Sequence, residues 1–210
     1  MFSIKESIKY AWKKLGEHAG LVLSATVLTL VTSCLTSGFN NDRYFIMPLL
    51  DLVAIVILVI IKIGYAKIFL KIYDGENPKF LEIFEEYRIF WRYLGASILF
   101  ALVFVGGLIL LIIPGIFWAV RFYFSTLIVI DTKIGPIAAM KESYAITKGS
   151  FWKILLFLAL IALFNLVGLI LFGVGLLITI PLSTFASVYV YRELSKAKAG
   201  VLENASPQVA

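Results

Sequence analysis

Apolar residues run in long blocks along this chain and do not alternate with polar ones. A bilayer core of ~30 Å needs ~20 apolar residues per helical crossing. Six stretches meet that requirement: 19–37, 45–66, 93–113, 115–131, 153–172 and 175–191. Two boundaries come from punctuation inside longer runs. Residues 94–130 would extend ~55 Å as one helix at 1.5 Å per residue, and Pro114-Gly115 breaks them. Residues 153–191 are likewise too long, and Gly173-Val174-Gly175 is their natural turn.

Amphipathic segments lie between the blocks. Ser3 and Glu6 have capping-box spacing; Ile4, Ile8, Ala11 and Leu15 share one face, opposite Glu6, Lys9 and Lys13. A second segment has Asn77 as N-cap and Pro78 at the first helical position. It predicts a helix with Phe80, Ile83, Phe84, Tyr87 and Trp91 on its apolar face and Glu82, Glu85 and Glu86 away from it. A third begins near Pro136, with Ile137, Met140 and Tyr144 aligned and Ile146 out of line. Such helices lie in the headgroup plane with lysine stems reaching outward.

Three strings share the order Trp, base, any residue, then Leu: Trp12-Lys13-Lys14-Leu15, Trp91-Arg92-Tyr93-Leu94 and Trp152-Lys153-Ile154-Leu155. Trp beside a base is common at membrane interfaces, so the strings are either interfacial anchors alone or marks of a repeat. As a repeat they divide the chain into units 1–73, 77–131 and 135–194, followed by a short tail, 195–210, expected to be disordered. The expected fold is an all-α integral membrane protein. Its six transmembrane helices form three hairpins, each preceded by a cytoplasmic interfacial amphipathic helix. Two spans per unit keep the units in one orientation, so the repeat axis would be a pseudo-threefold along the membrane normal.

Composition agrees with the pattern. Of 210 residues, 61% are hydrophobic and 15% charged, against ~25% charged in an average soluble domain. An ordinary soluble domain and a disordered chain are excluded. One Cys excludes an intrachain disulfide and a cysteine-rich zinc site. One His excludes mechanisms needing two. The net charge is +6, and its distribution is more informative than its sum. In a six-span arrangement every Lys and Arg except Arg43 and Arg121 falls on one side. The positive-inside rule then places both termini in the cytoplasm. The amphipathic N-terminus, with Glu6 and Glu17, is not a secretory signal. Val31-Thr32-Ser33-Cys34 loosely matches a lipoprotein box, and a thiol packed in the first span is the preferred reading of Cys34.

The stretch 114–152 resembles a prokaryotic family: the membrane domain attached to some glycerophosphodiester phosphodiesterases, with its stand-alone, uncharacterised relatives. The matching residues are Ile113-Pro114-Gly115-Ile116, Arg121-Phe122-Tyr123-Phe124, Ile130-Asp131, Gly135, Ala139, Ser143, Thr147-Lys148-Gly149 and Phe151-Trp152. Asp74-Gly75 and Leu81-Glu82-Ile83-Phe84 fit more loosely. The resemblance implies a multi-span helical domain in a prokaryotic cell membrane. It carries no catalytic role to any residue, because the phosphodiesterase activity of that family belongs to a separate soluble domain.

The sequence holds no Walker loop, His-Glu-x-x-His, Cys-x-x-Cys or Gly-x-Ser-x-Gly. No catalytic residue, metal site or cofactor is expected, and no nucleic acid partner. Polar residues inside spans are costly, which singles out Asp51, Arg121 and Asn165. Asp51 and Arg121 fall at similar depths and are expected to pair in the outer half. The alternatives are that Arg121 snorkels outward, or that it holds an anionic headgroup. Asn165 is expected to bond between helices. Lys9, Lys13, Lys141 and Lys148 are candidate contacts for anionic lipid, with Trp12, Trp91 and Trp152 as anchors. Three functions remain in competition: a non-enzymatic module binding lipid or a partner protein from the cytoplasmic side, a small transporter or lipid-translocating protein, and an accessory subunit of a lipid-metabolism enzyme.

Overall fold

The computed structural model describes the backbone of residues 2–37, 47–110, 112–170 and 174–205, and the side chains of 2–34, 52–109, 113–170 and 174–200. The described residues are helical throughout. Helices α1 (Ile4–Glu17), α2 (Ala19–Ser37) and α3 (Met47–Tyr73) come first. A 3₁₀ helix, Phe80–Ile89, leads into α4 (Phe90–Leu110), α5 (Ile112–Phe122) and α6 (Ser125–Thr132). Then come α7 (Pro136–Thr147), α8 (Phe151–Ile170) and α9 (Leu176–Ala205).

Four segments among the described residues are long and apolar enough to cross a membrane: Leu52–Tyr73, Phe80–Ile109, Ile113–Thr132 and Phe151–Ile170. A bent pair, Ile4–Glu17 with Ala19–Cys34, makes a fifth candidate. Only 11–39% of each of the four segments is buried within the protein. Apolar surface left open on that scale is what lipid covers, and the chain is a multi-pass membrane protein.

α1 starts as its cap predicts: the Glu6 amide donates to Ser3 Oγ at 3.5 Å. It ends at His18, whose amide donates to Lys14 O while its carbonyl accepts from Val22. At this corner the chain turns by 97° into α2. Ser7, Ala11 and Leu15 are buried, with α1 packed along α9. Tyr10, Tyr73 and Tyr189 meet ring to ring at 5.1–6.2 Å and join α1, α3 and α9.

Both long runs are divided, but the first is not divided at Pro114-Gly115: α4 ends at Leu110 and α5 starts at Ile112, so Pro114 lies in the first turn of α5, where its missing N–H costs nothing. In the second, Val174-Gly175 turn the chain before α9, and Gly173 lies outside the described residues. Gly107 and Gly115 then face each other: a Cβ on Gly107 would lie 2.8 Å from Gly115 Cα. α8 and α9 form the second such pair, since a Cβ on Gly175 would lie 2.7 Å from Gly168 Cα. Asn165 Nδ2 donates to Ser183 Oγ across these helices at 3.2 Å. Cys34 is exposed on α2, not packed as a core thiol.

The second interfacial segment departs from expectation. Its helix starts after Lys79, not at Pro78, and the Lys79 amide donates to Glu82 Oε1 at 2.7 Å. It is a 3₁₀ helix interrupted at Glu86 (φ −90°, ψ 23°) and followed directly by α4. With three residues per turn, positions 80, 83 and 86 align before that break, not those of a 3.6-residue repeat. Ile83 and Ile89 are buried, while Phe84, Tyr87 and Trp91 are exposed. Gly64 of α3 accepts the Ile83 backbone so closely that any Cβ there would collide with the Ile83 carbonyl.

The expected disordered tail is also corrected. α9 runs on to Ala205. Glu193, Leu194, Lys196, Ala197, Lys198 and Ala199 are good helix formers. Lys198 also reaches Glu142 Oε2 of α7 at 2.7 Å. Residues 206–210 lie outside the described residues.

Candidate functional site at the charged end

The family-like residues have a structural task. The turn at Tyr123-Phe124 separates α5 from α6 within one apolar segment and interrupts its hydrogen-bond ladder. α7 packs beside this break. Gly135 is its N-cap, Pro136 follows, and the four-residue spacing of Gly135, Ala139, Ser143 and Thr147 builds one narrow face. Ser143 Oγ donates to the main-chain oxygen of Arg121 at 2.8 Å, and Thr147 Oγ1 reaches the same atom at 3.4 Å. The Ser143 hydroxyl thus bonds a carbonyl exposed by the broken helix, while the single Thr147 proton has nearer acceptors in the Ser143 and Tyr144 carbonyls, at 2.9 and 3.1 Å. Ala139, Ser143 and Thr147 are buried, whereas Ile137 and Tyr144 are exposed. The apolar face predicted for this helix largely points away from the protein, because small residues allow the close packing that apolar bulk would prevent. Lys148 closes the helix and Gly149, at φ +84°, turns the chain into α8.

The described surroundings of Arg121 are aromatic. Its guanidinium carbon lies 5.2 Å from the Phe117 ring centre, 5.0 Å from Tyr144 and 5.8 Å from Phe151. These rings belong to α5, α7 and α8, and the last two stand at the end of the bundle that carries most of the lysines. Among the described residues no carboxylate reaches Arg121, and its Nε and Nη1 are buried without a hydrogen-bond partner. Aromatic faces supply the negative potential instead. The Asp51 side chain lies outside the described residues.

An ion network that sequence reasoning missed joins the end of α3 to α6 and α9. Arg192 of α9 donates twice to Asp131 of α6, at 2.7 and 3.0 Å, and once to Asp74 after α3, at 2.5 Å. Tyr191 Oη donates to the same Asp131 carboxylate at 2.7 Å. Burial opposes the charge on Arg192, but Asp131 and Asp74 outweigh it and hold its pKa above the ordinary arginine value. A signal was available: Asp74, Asp131 and Arg192 each follow a long, largely apolar run. Around this centre, Lys71 pairs with Glu82 at 2.5 Å and Lys133 with Glu86 at 3.1 Å, and Arg92 donates to the Lys133 carbonyl.

The proposed anchors are on the outside. Trp12, Trp91 and Trp152 are 64%, 77% and 77% exposed. Trp91 and Trp152 are each the second residue of their helix, while Trp12 lies within α1. Lys9, Lys13, Lys141 and Lys148 are all exposed. Of the four, only Lys13 has a carboxylate neighbour among the described residues, Glu17 at 3.8 Å. Lys141 also edges an apolar groove between Leu99, Phe122 and Tyr144. No cluster of three or more His, Cys, Asp or Glu that could hold a metal occurs among the described residues.

No family model matches the chain. No solved structure matches it either. It is 26% identical, over 226 aligned positions, to an uncharacterised protein of Mycobacterium bovis and to one of Mycobacterium tuberculosis, covering 92% of this chain and 69% of each relative. A second M. tuberculosis strain carries a protein that is 25% identical with the same coverage. The chain is distantly similar to these uncharacterised mycobacterial proteins.

Proposed function

We propose that this is a non-enzymatic, six-span protein of a prokaryotic cell membrane, with both termini cytoplasmic and a cytoplasmic face that binds anionic lipid. One observation carries the reading. α1 turns by 97° from α2 and buries Ser7, Ala11 and Leu15, leaving Lys5, Lys9, Trp12 and Lys13 exposed on its outer side. An amphipathic helix of this kind suits the headgroup layer, where each base near an anionic surface contributes ~1 kcal/mol. In this reading α2, ~28 Å long at 1.5 Å per residue, and α9 add two crossings to the four candidate segments. α9 is the least apolar because it is the inner helix: Phe185, Ala186, Val188 and Val190 are buried, and Ser183, Thr184 and Ser187 replace apolar bulk. The Gly107–Gly115 and Gly168–Gly175 contacts occupy matching places in the second and third units, which supports a repeat. The resemblance of 114–152 to phosphodiesterase-linked membrane domains is read as a shared helical arrangement, without shared chemistry.

The test is lipid selectivity in nanodiscs, comparing phosphatidylglycerol with phosphatidylcholine. Neutralising Lys9, Lys13, Lys141 and Lys148 together should reduce the preference for the anionic lipid at least about tenfold. Unchanged selectivity in a folded variant overturns the reading. In a Cys34→Ser background, cysteines placed at Glu76 and Lys196 should resist labelling from outside intact cells. Labelling at either position sinks the orientation.

A further inference from the structure

A cleft of about 380 Å³ opens between α3, α4, α6, α8 and α9. Its walls carry Lys62, Tyr65, Tyr93, Tyr123, Asn165 and Ser183. Along α9 it runs from Ile180 to Ser187, ~10 Å at the helical rise. One turn beyond Ser187 stand Tyr191 and Arg192, whose network with Asp131 and Asp74 closes that end.

The neutral polar groups are bonded among themselves. Tyr65 Oη is 3.1 Å from Thr26 Oγ1, Tyr123 Oη is 3.0 Å from Ser187 Oγ, and Asn165 bonds Ser183. Each keeps unused capacity, because a hydroxyl can donate once and accept twice and an amide has four sites. Lys62 is different. It is exposed, it has three donors, and no carboxylate or hydrogen-bond acceptor reaches it among the described residues. It lies inside the apolar segment Leu52–Tyr73, eleven residues, ~16 Å, from its end. A cation this far inside a span is costly unless something compensates it.

We propose that the cleft is a binding site for an anionic, oxygen-rich ligand of the phosphate-ester class, with Lys62 as its charge partner and the tyrosine, serine and asparagine groups bonding its oxygens. The volume falls within the range of small-ligand sites and exceeds what a simple ion fills. A lipid headgroup and a soluble phosphate both fit this description. The chemistry is shared between the two sources. This site is distinct from the surface lysines and does not depend on them.

Thermal unfolding of the purified protein in uncharged detergent tests it. The probes are phosphatidylglycerol, phosphatidylcholine and inorganic phosphate. Phosphatidylglycerol should raise the unfolding midpoint, and phosphatidylcholine should not. Lys62→Gln should weaken phosphatidylglycerol binding at least about tenfold, and Lys62→Arg should stay within about threefold of the natural protein. The variant neutralised at Lys9, Lys13, Lys141 and Lys148 should keep the Lys62-dependent shift. Competition by phosphate identifies a soluble source, and its failure to compete identifies the lipid; both support the site. Tyr93→Phe gives a second reading if Lys62→Gln does not fold, with an expected weakening of about threefold. Binding unchanged in Lys62→Gln, or in Tyr93→Phe when it stands in, overturns the inference, as does equal binding of phosphatidylcholine. Loss of selectivity in the surface variant alone would instead support the surface reading and count against this one.

Discussion

The two ends of the bundle are held by different forces. At the charged end, Arg192 gathers Asp74 and Asp131, the Ser143 hydroxyl bonds the Arg121 carbonyl, and the 3₁₀ helix is tied through Glu82 and Glu86. At the hairpin end, Ile109 and Ile113 are each 80% exposed, and the helices meet glycine to glycine. Lipid is as apolar as leucine, so burying leucine between helices gains little there, and close backbone approach supplies dispersion contacts instead. Polar networks set register where water begins; small residues set proximity where it is absent.

The comparison can be broken most severely at Arg192. Its side chain and that of Asp131 are 20% and 14% exposed. Arg192→Gln removes the charge partner of Asp131, which keeps only the Tyr191 hydroxyl, and of Asp74, and should cost about 3 kcal/mol in detergent unfolding. Lys198→Gln, whose pair with Glu142 is 31% and 40% exposed, should cost less than about 1 kcal/mol. Equal losses would mean that the central network has no special weight. The hairpin end comes next. Gly168→Val would drive a side chain into Thr179 and Gly175, where a bare Cβ already meets atoms at 2.5–3.1 Å, and should cost about 2 kcal/mol. A neutral result would remove close approach as its cause of stability. Ser143→Ala is the smallest. It removes the bond to the Arg121 carbonyl and should cost about 1 kcal/mol.

The helices were largely legible before any coordinates, and the places where the long runs divide roughly so. Apolar blocks, Pro114-Gly115 and Gly173-Val174-Gly175 are local signals, and local sterics decide where a helix stops. The α1 cap and its inward face were legible for the same reason. The second interfacial segment was not. Its residues fit a 3.6-residue stripe on paper, and the Gly64 contact with Ile83 accompanies a 3₁₀ winding that no local pattern announces.

Sequence by itself determined that the chain is helical, apolar and multi-pass, and roughly where its long runs divide, but not the turn at Tyr123-Phe124 inside 115–131. Tertiary structure decided which polar residues meet. Asp74 and Arg192 are 118 residues apart, and Asp131 and Arg192 are 61. Arg121, expected beside a carboxylate, is surrounded by the rings of Phe117, Tyr144 and Phe151 from three helices. Periodicity assigns a residue to a face of its own helix. What that face touches depends on how the other helices pack, and that is fixed by long-range contacts whose partners the local pattern does not name.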